Sequence, residues 1–123
     1  AMDVCAVVAA AGANFVARGT PFHVNQLDKL IQKAMSAKGF SFVEVLSPCP
    51  AHFGKKNGFK NTVDLMNWIK DLAVPIDAYS KLSDEEKENH IPRGIISERN
   101  KDDFSTRYEK IRKEALTNYG GAK

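Results

Sequence analysis

The sequence predicts an α/β fold with a parallel βαβ core, and three observations support this prediction. Residues 15–17 and 40–46 form short runs rich in Phe and Val, which is typical of buried strands. Between them, apolar residues recur at helical spacing. The strand–helix–strand order fits within about thirty residues, the size of one βαβ unit, whose strands are parallel and whose crossover is right-handed.

Three helices are predicted in the first part of the chain. Residues 3–11 are small and apolar on every side and are followed by Gly12 as a C-cap. A second helix ends at Gly39 and has one apolar face. That face consists of Leu27, Leu30, Ile31, Ala34 and Met35. Asn61 caps a third helix, which Pro75 closes. Its apolar positions are Leu65, Trp68, Ile69 and Leu72.

Loops, a strand and two more helices complete the predicted order. Residues 18–21 interrupt the chain after the first strand, and residues 47–58 form a loop after the second. Ser83 and Glu86 have the spacing of a capping box, so a short surface helix starts there. Residues 92–94 predict a turn into a strand over residues 95–98. The last helix is capped by Asp103, has Phe104, Tyr108, Ile111 and Ala115 on one face, and frays at Gly120 and Gly121.

Composition limits the class of protein. With 43% apolar and 27% charged residues, the 123 residues are predicted to form a single domain over 1–123 with its own core. A net charge of +3 without a clustered basic stripe argues against nucleic acid as a partner. The longest apolar run, residues 4–12, is too short for a membrane span and has no charged leader. Two cysteines favour a reducing compartment, so we expect a soluble cytoplasmic protein.

The start of the chain suggests a piece of a longer protein. Ala1 precedes Met2 and is interpreted as a cloning scar. The chain then enters an apolar helix with no polar lead-in. A helix without a polar face is normally covered on all sides, so here we expect an exposed apolar surface. Self-association through this helix or an unpaired sheet edge, most simply as a two-fold homodimer, is the expected consequence.

Cys49 is the main candidate for chemistry. It stands between Pro48 and Pro50, which fix the local backbone, and follows a strand at the edge where α/β sheets usually bind ligands. A partly buried free thiol explains the same pattern, so both interpretations stay open. His52 has metal-like spacing from Cys49, but a zinc site needs two more ligands. Cys5, inside an apolar helix, is interpreted as a core residue. The roles of His23 and of the lysines at 55, 56 and 60 stay open.

Several blocks together carry a family resemblance. Residues 13–19 (ANFVARG), 22–24 (FHV) and 39–50 (GFSFVEVLSPCP) resemble the C-terminal half of the beta subunit of 2-oxoacid:ferredoxin oxidoreductases. The continuation over residues 49–57 (CPAHFGKKN) is more similar to the 2-oxoglutarate branch than to the pyruvate branch. The likeness is densest over residues 11–57 and weaker to about 116. It implies the C-terminal half of a thiamine diphosphate-binding fold, with additional C-terminal helices.

The resemblance also implies an activity and its cofactors. The family decarboxylates a 2-oxoacid on thiamine diphosphate, transfers the acyl group to coenzyme A and passes electrons through iron–sulfur clusters to ferredoxin. Its beta subunit holds the diphosphate and magnesium through a Gly-Asp-Gly motif. Three upstream cysteines and one near the C-terminal end hold a 4Fe-4S cluster, and Cys49 resembles the last of these by position. Such a cluster requires four thiolates, which supports this role.

This sequence departs from the family pattern at two points. It contains no Gly-Asp-Gly motif, and Cys5 lies in the wrong segment to be one of the other three cluster cysteines. The resemblance therefore implies the C-terminal portion of a beta subunit. Such a portion binds no cofactor and catalyses nothing alone, and it acts with the alpha and other subunits. Two alternatives remain: a non-catalytic domain that docks a partner subunit, or a small enzyme with Cys49 as nucleophile and His52 as base. Which 2-oxoacid is used stays open.

Overall fold

The computed structural model describes residues 2–119, and its strands form one mixed four-stranded sheet in the order β2-β1-β4-β3. The strands are β1 (Phe15–Gly19), β2 (Ser41–Val45), β3 (Ala73–Pro75) and β4 (Ile91–Glu98). β1 pairs in parallel with β2 and antiparallel with β4, while β3 and β4 are parallel. The fold is thus α/β, as predicted, but the sheet is not purely parallel. The positions of Ala1, Gly120 and Gly121, on which the sequence made predictions, lie outside the described residues.

Six α-helices and two short turns surround this sheet within the described residues. The helices are α1 (Val4–Ala10), α2 (Val24–Ser36), α3 (Thr62–Leu72), α4 (Ile76–Tyr79), α5 (Asp84–Glu88) and α6 (Phe104–Tyr119). The turns are a 3₁₀ turn, Pro21–His23, and a π-helical turn, Pro50–Gly54. The predicted caps are confirmed: Asn61 and Asp103 accept backbone N–H groups, and Ser83 forms a capping box with Glu86. No helix in the described part of the chain is long and apolar enough to cross a lipid bilayer.

The predicted βαβ unit is confirmed, and it forms the centre of the molecule. Phe15 and Gly19 are in register with Ser41 and Val45, and α2 connects the two parallel strands. Every residue of β1 is buried because helices cover both faces of the sheet. Successive residues of β1 face opposite sides of the sheet. Phe15 and Ala17 pack with Leu30 on the α2 side, while Val16 packs with Cys5 and Ala13 on the α1 side.

Strand β4 corrects the sequence prediction. The predicted turn at 92–94 is wrong, because the strand runs from Ile91 to Glu98. Its first part pairs with β3 alone, and its second part, from Gly94, pairs with β1. Pro92 lacks an N–H donor and is tolerated because this part of the strand has a partner on one side only. Gly94 adopts a φ of 121°, a backbone conformation suited to glycine, where the strand changes partners.

Other boundaries also differ from the prediction. β1 continues through Arg18 and Gly19, which were predicted to lie in a loop. Strand β3 and the short helix α4 were not predicted, because three and four residues are too few to show a period. Part of the predicted loop at 47–58 forms the π-helical turn Pro50–Gly54. In each case pairing or packing with distant residues decides a conformation that local sequence leaves open.

The helices at the two ends of the chain expose apolar side chains. On α1, Cys5 is fully buried against the sheet, but Val7 on the outer side is 51% exposed. The predicted apolar face of α6 exists, yet every residue of that helix is exposed. Phe104 is 82% exposed and Ile111 is 63% exposed. Both helices therefore present unpartnered apolar surface within the described structure.

Candidate cysteine site

Cys49 lies where the sequence predicts, in a loop just beyond the carboxyl end of the parallel strand β2. The strand ends at Val45, and the next residue extends the ladder, since Leu46 donates its N–H to the carbonyl of Gly19 at 3.0 Å. The chain then leaves the sheet through Pro48. Cys49 is exposed, so the interpretation as a partly buried thiol is wrong.

The turn after Cys49 favours its ionised form. The N–H of Gly54 donates to the carbonyl of Cys49 at 2.9 Å and closes the π-helical turn. The backbone N–H of His52, and after it those of Ala51 and Phe53, stabilise the sulfur as an anion and lower the pKa of Cys49. Turns of this kind are rare and are often found at functional sites. The loop therefore presents an accessible thiol whose ionisation the turn favours.

Three aromatic rings pack together and connect this turn to α3: Phe53 of the turn, Phe59 of the loop that follows and Trp68 of α3. The ring of Phe53 lies 5.2 Å from that of Trp68 and 6.2 Å from that of Phe59, measured between centroids. Phe59 and Trp68 are 5.6 Å apart in an edge-to-face arrangement. Aromatic pairs at these separations contribute roughly 0.5–1.5 kcal/mol each beyond the area they bury. The backbone of the cysteine loop is thereby held against α3.

An apolar cleft of about 380 Å³ opens beside the thiol. Its lining includes Leu46, Cys49, Phe53, Trp68, Leu72 and Ile91. Trp68 was predicted to be a core residue, and it is half-buried, but it also lines this cleft. The cleft could not be predicted from the sequence, because Phe53 lies in a segment without periodicity. The exposed sulfur of Cys49 thus borders an apolar surface from which water is easily displaced.

Within the described residues, the other predicted candidates do not form a metal site with Cys49. His52 contributes its backbone N–H to the sulfur. His23 belongs to another part of the molecule, where its Nδ1 lies 2.8 Å from the hydroxyl of Thr20. Burial, followed by the positive charges of Arg93 and Lys70, lowers the pKa of His23. The lysines at 55, 56 and 60 are exposed. Among residues 2–119, no three His, Cys, Asp or Glu side chains come together as a metal site.

A second polar cluster, which sequence reasoning missed, lies between α1 and the sheet and is centred on the buried Arg18. Arg18 is 5% exposed, and it forms ion pairs of 2.5 Å with both Asp3 and Glu44. The thiol of Cys5 lies 3.4 Å from the carboxylate of Glu44. Burial raises the pKa of Cys5 to about 11. Cys5 is therefore an un-ionised thiol in the core, as predicted, and it contrasts with Cys49.

The fold and the site define an α/β protein in which a cysteine loop presents one exposed thiol at the carboxyl edge of parallel strands. No family model matches the chain. It is 34% identical over 110 residues to the 2-oxoglutarate synthase subunit KorB of Methanocaldococcus jannaschii, covering 89% of this chain and 41% of that protein. It is 37% identical over 97 residues to the same subunit of Methanothermobacter thermautotrophicus, covering 79% and 34%.

Two further matches are to proteins of the same kind. The chain is 32% identical over 68 residues to the beta subunit of 2-oxoacid:ferredoxin oxidoreductase 2 from Aeropyrum pernix, covering 55% of this chain and 19% of that protein. The fold is similar to a 2-oxoglutarate:ferredoxin oxidoreductase from Magnetococcus marinus, solved with 2-oxoglutarate, coenzyme A and succinyl-CoA bound. The TM-score is 0.67 at 24% identity, over 98% of this chain and 41% of the other.

The chain is a homologue of the beta subunits of 2-oxoglutarate and related 2-oxoacid:ferredoxin oxidoreductases, and the family resemblance is confirmed. It spans 41% of the length of the first of these relatives and 34% of the second. The match therefore concerns a part of the subunit.

Proposed function

We propose that this chain is the C-terminal portion of the beta subunit of a 2-oxoglutarate:ferredoxin oxidoreductase. In the assembled complex, a 2-oxoacid and coenzyme A are converted to an acyl-CoA and carbon dioxide, and two electrons reduce two molecules of ferredoxin. The similarity to 2-oxoglutarate synthase subunits over 89% of the chain supports this proposal. The observation that carries it is the exposed, easily ionised Cys49 at the carboxyl edge of the parallel strands.

In the complex we assign Cys49 as one thiolate ligand of a 4Fe-4S cluster. The fit can be tested on the residues themselves: the sulfur is exposed, its pKa is lowered, and a cleft of about 380 Å³ lies beside it. Four thiolates are needed, so three come from elsewhere in the complex. When bound, the cluster relays electrons one at a time. Thiamine diphosphate and magnesium belong to the same complex, and this sequence lacks the Gly-Asp-Gly motif that would hold them.

The residues around Cys49 would position the sulfur and adjust its surroundings. Pro48 and Pro50 restrict the backbone on both sides, so the thiolate is held with little loss of entropy on ligation. The N–H groups of His52 and its neighbours compensate the negative charge of the sulfur. N–H groups near cluster sulfurs and an apolar shell both influence a reduction potential. Phe53 and Trp68 provide that shell here.

The partners follow from the same proposal. The alpha subunit and other subunits would complete the active site, and ferredoxin would accept the electrons. The isolated chain is expected to be inactive, because the groups that hold the diphosphate and three of the four cluster ligands are not in it. Both cysteines are unpaired, which is consistent with a cytoplasmic complex.

The exposed apolar face of α6 favours a second candidate, a non-catalytic domain that docks a partner subunit. One experiment separates it from the first. The tagged chain is isolated with its native partners under anaerobic conditions, and three properties are measured: iron and sulfide content, the electron paramagnetic resonance spectrum after reduction, and 2-oxoglutarate-dependent reduction of ferredoxin.

The proposal predicts that Cys49→Ala removes one cluster signal and most of the ferredoxin reduction, while the subunits still assemble. Cys5→Ala is the matched control, because it removes the buried thiol and should leave the cluster signal unchanged. A complex that assembles with an identical spectrum and undiminished activity in Cys49→Ala would contradict the cluster assignment and support docking. A preparation without iron or 2-oxoacid-dependent activity would reject the oxidoreductase proposal itself.

A further inference from the structure

Helix α6 carries an apolar face that nothing else in the described structure covers. It extends over 16 residues, or about 24 Å, and all of its residues are exposed. Its apolar side chains are Phe104, Tyr108, Ile111, Ala115, Leu116 and Tyr119. Two shallow depressions run along this face, one on each side of Ile111. A continuous exposed apolar surface of this kind marks an interaction site.

The spacing of the face is that of a coiled-coil seam. Phe104, Tyr108, Ile111 and Ala115 are separated alternately by four and three residues. In a heptad, Tyr108 and Ala115 then occupy a positions, and Phe104 and Ile111 occupy d positions. An a/d seam of four residues is a narrow stripe, which is suited to one other helix rather than to a broad surface. The seam therefore predicts a helical partner.

The charged residues beside the seam specify which helix fits. Arg107 and Glu114 occupy successive g positions on the same side. If a second α6 lies antiparallel, Arg107 of each copy faces Glu114 of the other, and two ion pairs form. The apolar layers are also complementary in size: Phe104 faces Ala115 of the second copy, and Tyr108 faces its Ile111. The surface is thus self-complementary, as a two-fold interface must be.

The same residues disfavour a parallel pair. In the parallel arrangement, the g position of one helix faces the following e position of the other. Arg107 would then face Arg112 of the second copy, twice in each dimer. Like charges so placed are destabilising. Charge therefore selects the antiparallel orientation.

We propose that α6 is a self-association surface, at which two copies of this chain pair their α6 helices antiparallel about a two-fold axis. The sequence predicts self-association through α1 or a sheet edge, but α1 presents a poorer surface. Val7 is its large exposed residue facing outward, and Val8 packs against the core. The inference does not depend on the oxidoreductase proposal.

The first test measures the oligomeric state of the purified 123-residue chain by sedimentation velocity over a range of concentrations. We expect a reversible monomer–dimer equilibrium. Ile111→Ser removes a central seam residue and should raise the dissociation constant at least ~10-fold. Lys113→Glu, on the opposite side of α6, is the control and should leave it unchanged. Far-ultraviolet circular dichroism verifies that each variant retains its helices.

The second test reverses the charges beside the seam. Arg107→Glu and Glu114→Arg should each weaken the dimer, because each places like charges opposite one another. An equimolar mixture of the two variants should associate again, since every g pair in the mixed dimer is then opposite in sign. In a parallel dimer, Arg107→Glu would instead tighten association, by facing Arg112 of the other copy.

Four outcomes overturn the proposal. In the first, the chain stays monomeric at all concentrations, so that α6 binds a different partner. In the second, Val7→Asp dissociates the dimer and Ile111→Ser does not. In the third, Arg107→Glu strengthens the dimer, and in the fourth, the mixture of the two charge variants fails to associate.

Discussion

Arg18 and Glu44 are register partners on the parallel strands β1 and β2, and their side chains form an ion pair of 2.5 Å between Nε and Oε2. The guanidinium uses its Nη2 for Asp3, the N-cap of α1, also at 2.5 Å. One buried cation thus connects two strands and a helix. Both carboxylates are needed, because Arg18 lies in the interior with little access to water.

Removal of Glu44 should therefore be costly. Glu44→Gln leaves the buried Arg18 with a single carboxylate, and we expect the free energy of unfolding to fall by about 3 kcal/mol. The control is Glu98→Gln, which removes the exposed pair with Lys33 and should cost less than about 1 kcal/mol. Urea denaturation followed by circular dichroism measures both. Equal losses in the two variants would show that the buried pair has no special role.

Asp3 gives this network a pH dependence. Burial opposes ionisation of Asp3, but the N–H of Ala6 and the guanidinium of Arg18 outweigh it, so its pKa is lowered. A lowered pKa contributes stability that is complete above the unfolded value, near pH 4, and is lost as the pH falls through the folded value. The stability difference between wild type and Asp3→Asn should be constant from pH 7 to pH 5 and shrink below about pH 4. A difference that grows on acidification would contradict this account.

His23 should make the stability of the protein depend on pH over a different range. Burial and the nearby Arg93 and Lys70 lower its pKa, so the folded protein binds a proton at His23 less readily than the unfolded chain. Stability therefore rises with pH across this titration and is lost as the pH falls below about 6.5. The imidazole chemical shifts of His23, followed by NMR from pH 8 to pH 5, should give a midpoint below that of the same residue in the urea-unfolded chain. A higher midpoint for His23 would exclude this environment.

The parts of the fold that local sequence encodes are those with a period or a cap. The βαβ unit is visible in residues 15–46, and Asn61, Ser83 and Asp103 act as caps where predicted. Strand β3 and the start of β4 were missed because their conformation depends on pairing with each other. A proline in the sequence indicates a turn unless a partner strand is known.

The candidate site, like the fold, could be predicted from the sequence only in part. The position of Cys49 after a strand could be predicted from its neighbours in the chain. The aromatic support and the cleft could not, because Phe53 and Trp68 are brought together only by the packing of the loop against α3. The Arg18 cluster was hidden for a related reason: a charged residue in the sequence indicates a surface, and its burial depends on Asp3 and Glu44, which are distant in sequence.

A further prediction concerns the isolated chain. It supplies one thiolate of the four that a 4Fe-4S cluster requires, since Cys5 is buried against the sheet. Anaerobic reconstitution with iron and sulfide, followed by desalting and analysis of both elements, should therefore leave no stable cluster on the monomer. Near-stoichiometric iron and sulfide retained by the monomer would overturn the interpretation of the chain as a portion of a subunit.

The two cysteines should differ sharply in reactivity. In the folded protein, an aromatic disulfide reagent at pH 8 should modify Cys49 rapidly, because its thiol is exposed and its pKa is lowered by the N–H groups of the following turn. Cys5 should react only after denaturation, since burial raises its pKa to about 11. The rate of alkylation of Cys49 should rise with pH to a midpoint below that of a free thiol in a peptide. Cys49→Ser should abolish the rapid phase and Cys5→Ser should preserve it. A rapid phase that persists in Cys49→Ser would show that Cys5 is accessible and that α1 does not cover the sheet as described.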